Sequence, residues 1–248
     1  MSNFRDSPPI LVFSATGCTG YNTAKFLKKE GMNLILSSSR KNKNSISISH
    51  ELSSPLISFD FNKNANIDLL NKKIKKITSA LSGLVISIAR PFPKKFIHNT
   101  DVSILREQLD IHIIALHNII TTCMPFLENA KKFNPRIVYI STEYLIGNPP
   151  IKIGPYLASK SAAQMYMKVL SNEILKKNIK VFILSPGMIR SKLTEDLPEA
   201  YIKEVESKYP MKRLTEVNEI ANTILGIYKG YLDASYGQDI QVSAAERR

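Results

Sequence analysis

Seven short apolar runs, of three to six residues each, alternate with longer stretches of helical periodicity along this chain. No other feature constrains the fold as much. The runs are Ile10–Ser14, Asn33–Leu36, Leu56–Phe59, Leu84–Ala89, Arg136–Ile140, Val181–Leu184 and Ile240–Val242. Runs this short and continuously apolar suit strands buried on both faces of a parallel sheet, and the helical segments between them supply the crossovers. The pattern predicts an α/β fold: a doubly wound, Rossmann-type parallel sheet with helices on both faces. With no internal repeat, low-complexity linker or composition break, residues 1–248 are read as one domain, long enough for a large core.

Among the helical segments, one runs to Lys29 and is capped by Gly31, and a second carries Ile67, Leu70, Ile74, Ile77 and Leu81 beneath a Lys/Asn face. A third, about Val102 to Leu127, is apolar on more than one face, as expected of a helix packed on the sheet and on another copy of the chain. Residues 90–100 and 143–155 are Pro- or Gly-broken loops, and about 188–213 is a polar, mixed stretch expected to act as a mobile substrate lid.

Composition narrows the class. No uninterrupted apolar stretch is long enough to span a bilayer, and MSNFRDSPPI lacks a charged-then-apolar signal pattern. Two cysteines, Cys18 and Cys123, are too few for a disulfide framework, and no Cys/His cluster has metal-ligand spacing. These features predict a cytoplasmic protein with no bound metal. The net charge of +13 is spread over single and paired lysines, without a long block or a recognisable nucleic-acid module. A Lys-biased surface is therefore favoured over a nucleic-acid partner.

The first strand ends at Ser14-Ala15-Thr16-Gly17-Cys18-Thr19-Gly20 and a helix follows. Strand, Gly turn and helix together form the context for cradling a pyrophosphate, because the backbone must approach the phosphates and the helix N-terminus offers free N–H groups. Ser14, Thr16, Gly17, Thr19 and Gly20 are the candidates, with Ser14 standing where the first glycine of such a turn is usual. The second strand ends in Ser37-Ser38-Ser39-Arg40-Lys41, with no acid to hold a ribose 2′-hydroxyl. Hydroxyls and cations suit a 2′-phosphate, so NADP(H) is expected over NAD(H), with Arg40 as main contact and Ser38, Ser39 and Lys41 helping.

Tyr156 and Lys160 lie four residues apart at the start of a long amphipathic helix, hence on one face. An exposed tyrosine has a pKa of roughly 10, and a neighbouring ammonium is expected to lower it, making a usable general acid/base. Ser141 and Thr142, at the end of the preceding strand, bring a hydroxyl to the same place.

Taken in order, these motifs resemble the short-chain dehydrogenase/reductase family in its single-domain branch, and members that reduce 3-oxoacyl groups on a carrier protein in particular. The resemblance covers Ile10 to about Val242. It rests on the Gly turn at 14–20, Asp60 after the third strand, a strand-end hydroxyl, Tyr156-x-x-x-Lys160 and Pro186-Gly187 after the sixth strand. It implies Tyr156 as proton donor to a carbonyl, Lys160 as its activator and holder of the nicotinamide ribose, and Thr142, with Ser141 as fallback, orienting the substrate oxygen. It also implies cofactor contacts from Asp60 and Phe61 at the adenine and from Ala89. The backbone at Pro186, Gly187 and Ile189, with the Ser191 hydroxyl, would hold the carboxamide. The family's Asn on the long helix is His112 here, either a member of the same proton relay or a packed core histidine. The usual Asn-Asn-Ala-Gly is Ser87-Ile88-Ala89-Arg90.

These features imply an NADPH-dependent reductase of a ketone or β-ketoacyl group, able to run in reverse on a secondary alcohol. The substrate is expected to be a small molecule or carrier-bound, with Lys131, Lys132, Arg136 and Lys177 as a docking surface for an acidic carrier. Family habit implies a homo-oligomer, dimer or tetramer. A catalytically quiet NADP(H)-binding sensor or partner subunit is the alternative that the altered motifs suggest.

Overall fold

A computed structural model describes residues 6–61 and 66–244; the first five residues of the N-terminal stretch read for a signal pattern lie outside them. Seven strands, β1 (Ile10–Phe13), β2 (Leu34–Ser38), β3 (Leu56–Ser58), β4 (Gly83–Ile86), β5 (Arg136–Ile140), β6 (Lys180–Pro186) and β7 (Asp239–Val242), form one sheet in the order β3-β2-β1-β4-β5-β6-β7. Every pairing is parallel. The chain therefore starts in the middle of the sheet, builds outward through β2 and β3, and crosses back at β4. That reversal leaves a crevice beyond the carboxyl ends of β1 and β4, where doubly wound sheets bind their ligands.

Side chains alternate along each strand into two layers. Leu11, Phe13, Leu84, Ile137, Tyr139, Val181 and Ile183 pack against α3 (Ile67–Lys75), α5 (Ala115–Glu128) and α6 (Gly154–Ile174). Ile10, Val12, Val85, Val138, Phe182 and Leu184 pack with side chains of α1 (Cys18–Lys29), α2 (Lys43–Glu51) and α8 (Val217–Tyr228). The central strands are apolar on both faces because both faces are covered. Gly31 ends α1 in the left-handed region at φ +80°, where a glycine carries no steric penalty.

Four details depart from the sequence reading. β4 stops at Ile86 instead of Ala89. Residues 43–51, to which apolar periodicity assigns no element, form α2, which starts at a capping box between Asn42 and Ser45. The long apolar helix is two: α4 (Val102–Leu109) and α5, joined by a π turn over Asp110–Ile114 that holds His112. Within Val102–Glu128 an 18-residue window reaches a mean hydropathy of 1.3, enough by length and composition to cross a membrane, although Asp110, His112, His117 and Asn118 interrupt the apolar run. Leu116, Ile119, Ile120 and Cys123 are nevertheless buried in the core, so the hydropathy is that of a helix packed beneath the sheet. Val102, Ile114, Met165 and Val169 stay exposed on this α4–α6 side. Finally, the expected irregular lid contains α7 (Glu199–Lys208).

Gly83 shows how tightly α8 sits on the sheet. A Cβ there would stand 2.5 Å from the Tyr228 ring and 2.7 Å from the Arg136 carbonyl oxygen, while the Tyr228 hydroxyl donates to the Leu84 carbonyl at 3.0 Å. Overpacking of this kind costs about 1–3 kcal/mol. Gly83→Ala should lower unfolding free energy by about that amount in urea denaturation; an unchanged midpoint would show that α8 yields to the methyl.

Candidate active site

α6 begins at Gly154 with Pro155 in its first turn, where a missing N–H costs nothing. That start fixes Tyr156 and Lys160 on the face toward β5. Lys160 is 3% exposed, and its Nζ donates to the Ile140 carbonyl oxygen at 2.7 Å. The Tyr139 ring lies beneath it, with Nζ 4.8 Å from the ring centroid. Among the described residues Lys160 has no ion pair. Burial disfavours its charged form and pulls its pKa down to about 7.

The Thr142 hydroxyl hydrogen-bonds the Tyr156 phenol, and that bond lowers the phenol's pKa. Burial of the phenol end outweighs it, and Tyr156 is pushed up to about 12. The depressed value expected from a lysine one turn away is corrected. Lys160 aims at the Ile140 carbonyl and the Tyr139 ring, and desolvation dominates both groups. Of the two hydroxyls after β5, Thr142 faces Tyr156 and caps the short turn Glu143–Leu145. Ser141 is buried, with no hydrogen-bond partner for its hydroxyl among the described residues.

His112 is brought to the site by the π turn, a device that re-aims one side chain within a helix. Its Nδ1 is 2.8 Å from the Ser159 hydroxyl, and its ring meets the Tyr156 ring edge to face at 5.5 Å. Burial and the Lys160 charge hold its pKa well below the usual 6.5, so it is neutral. Nε2 is buried without a hydrogen-bond partner among the described residues. The residue is therefore both packed and adjacent to the phenol.

A dinucleotide fits the crevice on the chain's own terms. α1 starts at Cys18 with no side-chain cap, leaving its first N–H groups for a phosphate. Gly20 cannot carry a side chain, since a Cβ would stand 2.2 Å from the Ser14 carbonyl oxygen. Ser14 itself is at φ 55°, a conformation natural to glycine and costly for serine. Thr16, Gly17 and Thr19 line the same turn, and a cavity of about 350 Å³ between it and α2 is bounded by Thr16, Gly17, Tyr21, Ser47 and Glu51. Ser39 and Arg40 are exposed at the end of β2, whereas Ser38 is buried and donates to the Arg40 carbonyl, so its hydroxyl is not free for a phosphate. Asp60 faces Arg90 at 3.9 Å, Phe61 packs in the core, and Ala89 is exposed past β4. Pro186 ends β6 and Gly187 follows it, both buried; Ile189 and Ser191 come next, the Ser191 hydroxyl accepting from the Leu193 N–H.

Sequence reading missed several neighbours. Tyr139 gave no signal beyond strand propensity. Phe92 stacks on the Tyr156 ring at 5.4 Å and 12°, from a loop whose prolines mask any pattern. Lys94 in that loop pairs with Asp196, and the Tyr209 hydroxyl, which accepts from the Met188 N–H, donates to the buried Glu143 carboxylate. The expected mobile lid is thus tied at two points. The basic residues considered for a carrier lie where β5 and β6 begin, opposite the end that carries Tyr156. Two of the four are already paired, Arg136 with Asp233 and Lys177 with Glu128.

Known proteins resemble this chain in sequence and in fold. A family model described as enoyl-(acyl carrier protein) reductase matches residues 15–244, and the chain belongs to the short-chain dehydrogenase/reductase family. Similar curated proteins include the 3-oxoacyl-[acyl-carrier-protein] reductase of Buchnera aphidicola, 42% identical over 90 residues (36% of each chain). The protein of that name from Thermotoga maritima is 29% identical over 118 residues, covering 47% of this chain and 46% of that one. These matches span less than half of each relative. Among solved structures, the Pseudomonas aeruginosa RhlG/NADP active-site complex superposes with a TM-score of 0.89 at 17% identity, covering 98% of both chains. At that identity the likeness is one of fold.

Burial of Lys160 has a consequence for stability. With a pKa of about 7 folded and about 10.4 unfolded, the unfolded chain binds more protons between those values, so stability rises with pH across that window. Relative to Lys160→Met, the wild type should gain up to about 1.4 kcal/mol per pH unit from about pH 7 to 10. Parallel pH profiles in urea melts would contradict it.

Proposed function

We propose that this short-chain dehydrogenase/reductase is an NADPH-dependent reductase of a ketone or β-ketoacyl group, with Tyr156 as proton donor. The observation that carries this reading is the Thr142–Tyr156 hydrogen bond set beside the buried Lys160 amine at the carboxyl end of the sheet. A phenol held at about 12 is fully protonated at neutral pH, as a donor must be. An alkoxide is a stronger base than a phenolate, so proton transfer from Tyr156 to a carbonyl oxygen gaining negative charge runs downhill. Thr142 can direct that oxygen toward the phenol, and the Lys160 cation stabilises the phenolate left behind.

The cofactor, when bound, supplies the hydride. Thr16, Gly17, Thr19 and Gly20 would hold its diphosphate, Ser39 and Arg40 a 2′-phosphate, Asp60 and Phe61 the adenine, and Ala89 would line its cleft. Lys160 would hold the nicotinamide ribose, and the backbone at Pro186, Gly187 and Ile189, with Ser191, the carboxamide. NADP(H) over NAD(H) is supported by an exposed Arg40 and the lack of an acid at the end of β2. Phe92, flat against Tyr156, supports a substrate slim at the carbonyl. A carrier-bound substrate is supported by the names of the curated relatives, not by the position of this chain's basic residues. The family model's description supports a second reading, reduction of an enoyl double bond.

The test is a panel of ketones, β-ketoacyl thioesters and enoyl thioesters with NADPH and NADH side by side. Carbonyl-dependent oxidation of NADPH is expected, with Tyr156→Phe losing about 10²–10⁴-fold in kcat/KM while NADPH affinity is retained, and Arg40→Ala weakening NADPH more than NADH. Turnover of enoyl thioesters alone would favour the second reading. No turnover anywhere in the panel would leave a cofactor-binding sensor.

A further inference from the structure

A lysine buried to 3% exposure needs compensation, and in this chain no carboxylate provides it: among the described residues Lys160 has no ion pair. Among the described residues its one hydrogen-bond acceptor is the Ile140 carbonyl. What stands against the ammonium instead is an aromatic face. Tyr139 occupies the middle of the sheet, fully buried, one residue before the strand end that leads to Thr142. Its ring centroid lies 4.8 Å from Nζ, inside the range where a cation is drawn to the ring's quadrupole.

We propose that the Tyr139 ring is the seat of the Lys160 ammonium, and that Tyr139 is thereby a positioning residue which keeps the lysine charged beside Tyr156. The proposal deepens the reductase reading, and its consequence for turnover rests on that reading. The cation–π contact does not.

The ring, more than the hydroxyl, carries the effect. The Tyr139 hydroxyl is buried without a hydrogen-bond partner among the described residues, and burial with the nearby Tyr156 phenol holds its pKa well above the usual value, so it contributes no charge. Among the described residues, the titratable groups placed about Lys160 are Tyr139 from β5, His112 from the π turn and Tyr156 one turn earlier on its own helix. All three are neutral at pH 7. Burial pulls Lys160 toward its amine form, and the ring is the one group of the three whose geometry opposes that pull. Removing the quadrupole should therefore lower the Lys160 titration midpoint by about one pH unit, enough to discharge much of it at neutral pH.

The experiment follows the Lys160 ε-carbon by NMR in the full chain labelled with ε-¹³C lysine, the signal being assigned by its loss in Lys160→Met. Position 139 carries tyrosine, phenylalanine, or phenylalanine with one, two or three ring fluorines. Fluorination drains the quadrupole while preserving shape, so folding, checked by circular dichroism, is not at stake. Phenylalanine should leave the midpoint near the wild-type value, and successive fluorines should lower it stepwise. Identical midpoints across the fluorinated series would overturn the proposal, as would a fall with phenylalanine as large as with trifluorophenylalanine. The alkaline limb of kcat/KM for NADPH-dependent reduction should shift with the same series. If the protein turns over no carbonyl, the reductase reading fails and the NMR series still decides the role of Tyr139.

Discussion

Holding an amine inside a protein is expensive, and the rest of this site is arranged around doing so. Lys160 sits where α6 crosses the end of β5, with a backbone carbonyl at one N–H and an aromatic face beneath. Neither partner brings a negative charge, so the amine stays close to the point at which it gains or loses its proton. That balance holds only if water is excluded. The exclusion comes from the α4–α6 layer, which buries Ile111, Ala115, Ala163 and Met167 in one core with Tyr139. The π turn is part of the same closure, because it swings His112 inward to hydrogen-bond Ser159, the residue before Lys160.

Two loops complete the chemistry around this buried centre. The one after β5 presents Thr142 to Tyr156, and the same turn buries Glu143, which accepts the Tyr209 hydroxyl. The lid is therefore anchored one residue away from the hydroxyl expected to meet the substrate. From the other side, Phe92 lies on the Tyr156 ring and Lys94 reaches Asp196 of the lid. Hydrogen bonds to charged groups contribute about 1.5–3 kcal/mol when buried and much less at the surface. The buried Tyr209–Glu143 contact is thus the firmer tie, and the more exposed Lys94–Asp196 pair the weaker.

Much of this was readable in the sequence, for identifiable reasons. Buried parallel strands need continuous apolar runs, so the place of all seven strands along the chain is readable from those runs. Tyr156 and Lys160 follow from helical spacing, and Gly20 from the close backbone approach that excludes a side chain. What escaped notice depends on tertiary placement. Tyr139 is one more strand residue until α6 lays a cation on it. The π turn at 110–114 has the same apolar periodicity as the helix it interrupts, and α2 rests on a capping box rather than an apolar stripe. The pKa of Tyr156 is not readable from spacing, which gives proximity, whereas burial gives the sign. Basic residues near helix ends suggested a docking surface, yet strand direction puts them at the far end of the sheet from Tyr156.

The central claim is that these residues serve hydride delivery to a carbonyl carbon with protonation of its oxygen by Tyr156. It is tested most directly by tracing the hydride. Protein supplied with NADPH deuterated at the transferable C4 position and a β-ketoacyl thioester should give product with one deuterium on the carbinol carbon, read by mass spectrometry. Unlabelled product, or deuterium appearing only at the β-carbon of a saturated thioester when an enoyl thioester is supplied, would contradict the account.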